Sequence, residues 1–179
     1  MPDTLIKTVG FFWREDDVFW GRPRNPGSLL GKPTSSKKAE PIDFREQAGI
    51  YVLYADYEMV YVGQTGKGDQ NLFVRLRQHR FDDLAGRWNQ FSWFGVRRVL
   101  QNGELSKKNA KFHPTLEVTL DHVEGVLIHS AEPPRNGQKG RFGSAVKRYL
   151  QVRDGRLGPP KDKVLAEIHE KLAEGGDAS

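Results

Sequence analysis

The sequence predicts an α+β fold, a single domain in which short β-strands and helices alternate. Apolar, β-branched and aromatic residues fill Gly49–Ala55 and Met59–Gly63, which is typical of a hairpin. Leucines at helical spacing follow over residues 71–88, and residues 91–100 resemble a third strand. With 179 residues, the chain is long enough to bury one core.

The first segment, residues 1–45, is expected to form a hairpin and a basic loop. Aromatic runs at Gly10–Trp13 and Val18–Gly21 flank the polar turn Arg14–Asp17, which favours a hairpin. The loop after it is rich in proline and glycine. It is either a solvated surface loop or a contact for nucleic acid, because cations gain by releasing counterions from phosphates. Its cations are Arg22, Arg24, Lys32, Lys37 and Lys38.

The middle segment, residues 46–143, ends with a predicted helix. Leu116, Leu120, Val123 and Leu127 recur at helical spacing, so we expect them to form its buried face. Pro133–Pro134 then ends this helix.

The last segment, residues 144–179, is predicted to be helical. A short helix is expected at 144–152, and an amphipathic one at 162–173. The second would place Leu165, Ile168 and Leu172 inward, and Gly175–Gly176 would end it.

The charge balance favours an anionic partner. Lysine and arginine number 28 against 23 acidic residues, which gives a net charge of +5. There is no cysteine, which excludes disulfides and thiolate metal sites and suits a reducing compartment. No apolar run reaches membrane-spanning length and the first ten residues lack a signal-peptide core, so we expect a soluble, cytoplasmic protein.

Two tyrosines stand out in the hairpin. Tyr51 and Tyr61 are separated by an even number of residues, so they share a sheet face only if the loop has an odd length. In that case their side chains lie within about 5 to 8 Å of each other. Taken alone, such a pair is more typical of cross-strand packing than of a site.

Four further polar residues are candidates for a site. Arg75 and His79 are four apart on the first helix and point the same way, at the border of its buried face. Glu124 lies at the border of the second leucine stripe, where a carboxylate needs a cation, a metal or hydrogen-bond donors. Asn136 follows the two prolines. Each has an ordinary structural alternative: a solvated edge, an arginine pair, or a cap.

The order Gly49-Ile50-Tyr51, Tyr61-Val62-Gly63, Arg75, His79, Glu124 and Asn136 resembles the GIY-YIG endonuclease family. The resemblance covers residues 48–136, half of the chain. It implies a small three-stranded antiparallel sheet flanked by helices. The N-terminal hairpin and the C-terminal helices would then be extensions.

The resemblance also implies a role for each residue. Tyr51 would be the general base, or would relay a proton from water to one, and Tyr61 would position water or phosphate. Arg75 would hold the scissile phosphate with help from His79, and Asn136 would brace the site. Glu124 would bind one Mg²⁺ or Mn²⁺ ion, with waters and phosphate oxygens completing the shell.

From these roles we expect a divalent-metal-dependent DNA endonuclease of restriction or phage-defence type. Its small size favours a homodimer. Lys67 and Arg77 would add to the nucleic-acid surface. A free tyrosine has a pKa of about 10, and Arg75, Lys67 and the ion would lower it, so cleavage should rise above neutral pH. The alternatives are an RNA-cleaving, toxin-type nuclease and an inactive nucleic-acid-binding module.

Overall fold

The computed structural model describes residues 4–36, 38–66, 69–107, 116–131, 142 and 145–176. The strands are β1 (Thr8–Arg14), β2 (Leu30–Pro33), β3 (Ile42–Asp43), β4 (Gly49–Ala55), β5 (Glu58–Thr65), β6 (Gln90–Gly95) and β7 (Lys147–Gln151). The α-helices are α1 (Leu72–Gln78), α2 (Leu116–Ala131) and α3 (Lys161–Gly176). None of the helices in these ranges has the length and apolar character needed to cross a bilayer.

All seven strands belong to one sheet, in the order β3-β2-β7-β1-β6-β4-β5. The β1–β7 pairing is parallel and the other pairings are antiparallel. The expected small three-stranded antiparallel sheet is therefore wrong. β6, β4 and β5 are antiparallel neighbours, but they form one end of a larger mixed sheet to which all three sequence segments contribute.

The aromatic ribbon near the N-terminus does not form the expected hairpin. Its first half is β1, but Glu15–Asp17 forms a 3-10 turn, and Phe19 bridges to Ser28 instead of pairing with β1. β1 pairs with β6 and β7. The reason is burial: Trp13 packs edge-on against Trp93 of β6, with ring centroids 5.3 Å apart.

The C-terminal segment contains a strand where a helix was expected. Residues 147–151 form β7, which lies between β1 and β2, so the prediction of a helix at 144–152 is wrong. Tyr149 of β7 is buried against Phe44, with ring centroids 4.7 Å apart. The last helix is confirmed as α3, but Leu165 and Ile168 are exposed on it instead of facing inward.

The two faces of the sheet carry separate cores. Tyr51 and Leu53 of β4 belong to the core that packs against α1. Val52 of β4 belongs to the other core, against which Val126 of α2 packs. Because successive residues of a strand face opposite sides, α1 and α2 lie on opposite faces of the sheet.

Helix α2 is turned away from its leucine stripe. Leu116, Leu120, Val123 and Leu127 are between 49% and 75% exposed, so the predicted buried face is wrong. Besides Val126, two histidines make its inward contacts. His122 Nδ1 accepts a hydrogen bond of 3.0 Å from the Ile6 backbone N–H, and the His129 ring stacks on Phe11 with centroids 4.7 Å apart. Periodicity predicts a helix with an apolar stripe, but it does not show which side of that helix packs on the sheet. Here the histidine contacts decide that side.

The orientation of α2 is testable by stability. Leu120→Gln is expected to change the free energy of unfolding by less than about 0.5 kcal/mol, because the side chain already lies in water. Leu53→Ala, at a fully buried position, is expected to cost about 2–5 kcal/mol. Urea denaturation of the two variants measures both values. A loss above about 2 kcal/mol in Leu120→Gln would mean that the leucine stripe faces the core.

Candidate functional site

The β4–β5 hairpin places Tyr51 and Tyr61 on one face of the sheet. Its loop has only two residues, Asp56 and Tyr57, both with positive φ. A regular ladder from this loop would have put Tyr61 opposite Val52, on the wrong face. An irregularity in the register instead puts Tyr61 opposite Leu53. The tyrosine rings are consequently diagonal neighbours with centroids 6.1 Å apart, so the shared face is confirmed.

The two glycines of the tripeptides each have a steric reason. Gly49 has φ +149°, and a Cβ there would lie 2.0 Å from the Phe94 carbonyl oxygen. Gly63 is the cross-strand partner of Tyr51, and a Cβ there would lie 2.3 Å from the Tyr51 hydroxyl. The Tyr51 phenol therefore occupies the space over Gly63 that a side chain at position 63 would need.

Helix α1 carries Arg75 and presents His79 at its C-terminal end. Asn71 caps the N-terminus by accepting a hydrogen bond of 2.9 Å from the Val74 backbone N–H. The helix ends at Gln78, earlier than predicted, and His79 is its C-cap residue. The Trp88 indole N–H donates to the His79 carbonyl oxygen over 3.2 Å. That bond fixes the backbone of His79 against the sheet.

A chain of hydrogen bonds links three side chains. Tyr51 Oη lies 2.7 Å from His79 Nε2, and His79 Nδ1 lies 2.7 Å from Asp82 Oδ2. Tyr51 is 0% exposed and His79 is 4% exposed, whereas Asp82 reaches solvent. The Tyr61 ring lies beside His79, with centroids 4.8 Å apart. The sequence motifs therefore converge as a cluster of polar groups on the α1 face of the sheet.

The guanidinium of Arg75 completes this cluster. It interacts with the phenols of both Tyr51 and Tyr61, and its Nη1 donates to Gln78 Oε1 over 2.9 Å. Its Nε is buried without a hydrogen-bond partner among the described residues. Arg75 and Tyr61 are only partly buried, so they form the solvent side of the cluster. We name Tyr51, Tyr61, Arg75 and His79 the tyrosine cluster.

The environment of Tyr51 opposes the phenolate expected from the sequence. Burial raises the pKa of Tyr51 to about 12, and the nearby Arg75 guanidinium only partly offsets this. The expectation of a lowered pKa is therefore wrong, because the loss of water around the phenol outweighs the cation beside it. Tyr51 is a neutral phenol at any physiological pH. It can donate or relay a proton, but it does not act as a standing phenolate.

A pH titration tests this burial. Because the pKa of Tyr51 is raised above the value of about 10 for an unfolded chain, the folded state favours the neutral phenol. The resulting stability is complete below pH of about 10 and is lost as the pH rises towards about 12. The difference in phenolate ultraviolet absorbance between wild type and Tyr51→Phe isolates this residue. A titration midpoint at or below about 10 for that difference would show that the phenol is in water.

Glu124 does not join the tyrosine cluster. It is exposed on α2, and α2 lies on the opposite face of the sheet. Asn136 lies outside the described residues. Within the described ranges, no group of three or more His, Asp or Glu side chains is placed to hold a metal ion. The described residues do not fit the single-ion site that the family resemblance implies, because its expected ligand Glu124 lies on the opposite face of the sheet from the tyrosine cluster.

Part of the predicted nucleic-acid surface adjoins α1. Arg22 and Arg24 lie in a turn closed by hydrogen bonds of 2.8 and 2.9 Å between Arg22 and Asn25. Gly27, just after this turn, touches the ring of Phe73 on α1. Exposed Arg77 lies on the same helix.

Two further predicted cations that the structure describes lie elsewhere. Lys32 lies on β2, near the opposite end of the sheet from β5, and Lys38 lies between β2 and β3. Lys37 and Lys67 fall outside the described residues.

Sequence reasoning missed Asp82. The only signal it offered was its position three residues after His79, where the chain leaves the helix. Side chains three residues apart are also neighbours on a helix, so the predicted helix over 71–88 already allowed this pair.

Comparison with models of known protein families, with curated proteins and with solved structures finds no match to this chain. The geometry of the tyrosine cluster is therefore the basis for proposing its function.

Proposed function

We propose that this protein is an endonuclease that hydrolyses phosphodiester bonds at the tyrosine cluster. The observation that carries the proposal is the 2.7 Å contact between Tyr51 Oη and His79 Nε2, directly beside Arg75 and Tyr61. A proton acceptor and a phosphate-binding cation are the two groups that such a hydrolysis needs most. Here residues from two strands and one helix bring them together.

Arg75 is the phosphate-binding group. A guanidinium stays charged at all relevant pH values and presents several donors in a planar fork that matches phosphate oxygens. Arg75 is partly exposed and lies beside the phenols of Tyr51 and Tyr61. Negative charge that develops on the phosphate during attack is stabilised by this cation.

Tyr51 and His79 move the proton. A water molecule held at Arg75 transfers a proton to the hydroxyl of the partly exposed Tyr61, whose own proton passes to the buried Tyr51 oxygen, while the Tyr51 hydroxyl proton passes to His79 Nε2. The water oxygen forms a bond to phosphorus, the bond from phosphorus to the leaving oxygen breaks, and that oxygen takes a proton from solvent. The raised pKa of Tyr51 suits a relay, because the phenol is neutral before and after the step.

The preferred substrate is DNA. The net charge of +5 and the basic turn beside α1 favour a nucleic-acid strand along this helix. A restriction or phage-defence role and a homodimer that cuts both strands belong to the same proposal. RNA is the competing substrate.

A nucleic-acid-binding module without activity is a second candidate. It is favoured by the burial of Tyr51 and His79, which substrate cannot touch directly in this arrangement, and by the distant position of Glu124. In such a module the cluster would only hold α1 against the sheet.

The test is a digest of supercoiled plasmid DNA and of a structured RNA by the purified protein. Each is incubated with Mg²⁺, with Mn²⁺ and with EDTA, and the ends are sequenced. Cleavage of DNA that is lost in Tyr61→Phe but kept in Arg77→Ala supports the proposal. Binding of DNA without cleavage under any of these conditions contradicts it and favours the binding module. Glu124→Ala in the same digest reports whether the acid on α2 takes part, and the geometry predicts activity within about threefold of wild type.

A further inference from the structure

The hydrogen-bonded chain through Tyr51 and His79 continues to Asp82, which is not one of the four residues of the tyrosine cluster. We infer that Asp82 is a positioning residue that fixes the ring tautomer of His79, so that His79 Nε2 presents its lone pair to Tyr51. This inference rests on the proposed function for its consequences in catalysis. Its structural part stands on the two 2.7 Å contacts on either side of the imidazole.

The chemistry of a carboxylate decides which atoms donate and which accept in this series of hydrogen bonds. An ionised carboxylate can only accept hydrogen bonds, so His79 Nδ1 must be the donor to Asp82 Oδ2. In a neutral imidazole the other nitrogen is then the acceptor, and Nε2 accepts from the Tyr51 hydroxyl. The opposite tautomer would leave Nδ1 and the carboxylate as two acceptors facing each other at 2.7 Å.

Asp82 is itself held in the required state and place. Its second oxygen, Oδ1, accepts a hydrogen bond of 2.9 Å from the Leu84 backbone N–H. Partial burial acts to raise the pKa of Asp82, but this backbone bond and the His79 ring outweigh it, and the pKa is lowered. The carboxylate is therefore ionised at neutral pH and fixed by the turn that follows α1.

The charged groups around His79 favour proton transfer from Tyr51 to His79. The titratable and charged groups that face it are Tyr51 from β4, Tyr61 from β5, and Arg75 and Asp82 from α1 and the turn after it. Among these, Asp82 is the one anion at neutral pH. When His79 takes the proton from Tyr51, the positive ring gains a contact ion pair with Asp82, which stabilises the charge formed during the step.

Two measurements test the inference, and the first does not need activity. Nitrogen chemical shifts of the His79 ring, measured by NMR on the wild-type protein, report which nitrogen carries the proton. We expect the Nδ1–H form to predominate in wild type. In Asp82→Asn the amide can present its N–H₂ to Nδ1, so the share of the Nε2–H form should increase. Asp83→Asn, which removes the neighbouring exposed carboxylate, is the matched control and should leave the ring unchanged.

The second measurement is the pH dependence of cleavage. In Asp82→Asn we expect kcat to fall by about 10²-fold or more, with KM unchanged. The acidic limb of the pH–rate profile should move to lower pH, because the protonated ring has lost its anionic partner. Asp83→Asn should keep the wild-type profile.

The outcomes separate the two proposals. A wild-type ring in the Nε2–H form overturns the role of Asp82, and so does an Asp82→Asn ring and pH profile that match wild type. If wild type cuts neither DNA nor RNA, the proposed nuclease activity fails, and the NMR comparison still decides whether Asp82 sets the tautomer. Thermal unfolding of Asp82→Asn identifies a general loss of fold, which would affect every resonance instead of the His79 ring alone.

Discussion

Arg75→Ala is expected to reduce the rate of phosphodiester cleavage by about 10² to 10³-fold, the usual effect of removing one donor that stabilises charge in a transition state. Among the described residues, Arg75 is the cation whose charge acts on the Tyr51 phenol, and it lies beside Tyr61 as well. Single-turnover kinetics with enzyme in excess measures the chemical step without the contribution of substrate binding.

Arg77→Ala is the matched control for this prediction. Arg77 is exposed on the same helix, two residues away, and no contact with either tyrosine is seen in the described structure. We expect it to weaken binding to nucleic acid and to make that binding less dependent on salt, with little change in the single-turnover rate. Equal losses in the two variants would mean that Arg75 contributes only general positive charge.

Gly63→Ala is expected to abolish the proposed cleavage, although it only adds a methyl group and removes no polar atom. That methyl would lie 2.3 Å from the Tyr51 hydroxyl and 2.4 Å from the ring carbon that carries it. Because Tyr51 is fully buried, the ring cannot simply swing away, and either the phenol or strand β5 must move. A displacement of about 1 Å at a reacting group can cost about 10²-fold in rate.

The stability of the same variant should also fall, by about 1–3 kcal/mol, because the added methyl overpacks the interior. Gly155→Ala is the control, since a Cβ at that position meets no atom within 4 Å. Denaturant unfolding and the cleavage rate are measured on both. A Gly63→Ala protein with wild-type rate would show that the phenol of Tyr51 does not need its place beside His79.

The sequence was sufficient for local features of the site and insufficient for features that depend on distant contacts. The two tripeptides identify β4 and β5, and the helical spacing identifies α1 with Arg75 and His79 on one side. The ribbon at Phe11–Trp13 has clear strand character. Its partners are more than 75 residues away in the chain, in β6 and β7, and alternation does not reveal them.

Helix α2 shows the same limit in another form. Its leucine spacing predicts a helix correctly, but the side that turns inward is set by His122 and His129. Glu124 is away from the tyrosine cluster for a separate reason, because α2 packs on the opposite face of the sheet. The Tyr51 pKa was missed for a related reason, because the cation beside it is visible in sequence whereas the burial that outweighs it is a property of the whole core.

The most direct test of the tyrosine cluster as a reaction centre is the single-turnover cleavage rate of Tyr51→Phe. The substitution removes one oxygen atom and keeps the ring that packs in the core. We predict that cleavage falls by about 10² to 10⁴-fold, while the affinity for nucleic acid stays that of wild type. A Tyr51→Phe protein that cuts at the wild-type rate would contradict the account, because the proton would then have no path through this residue.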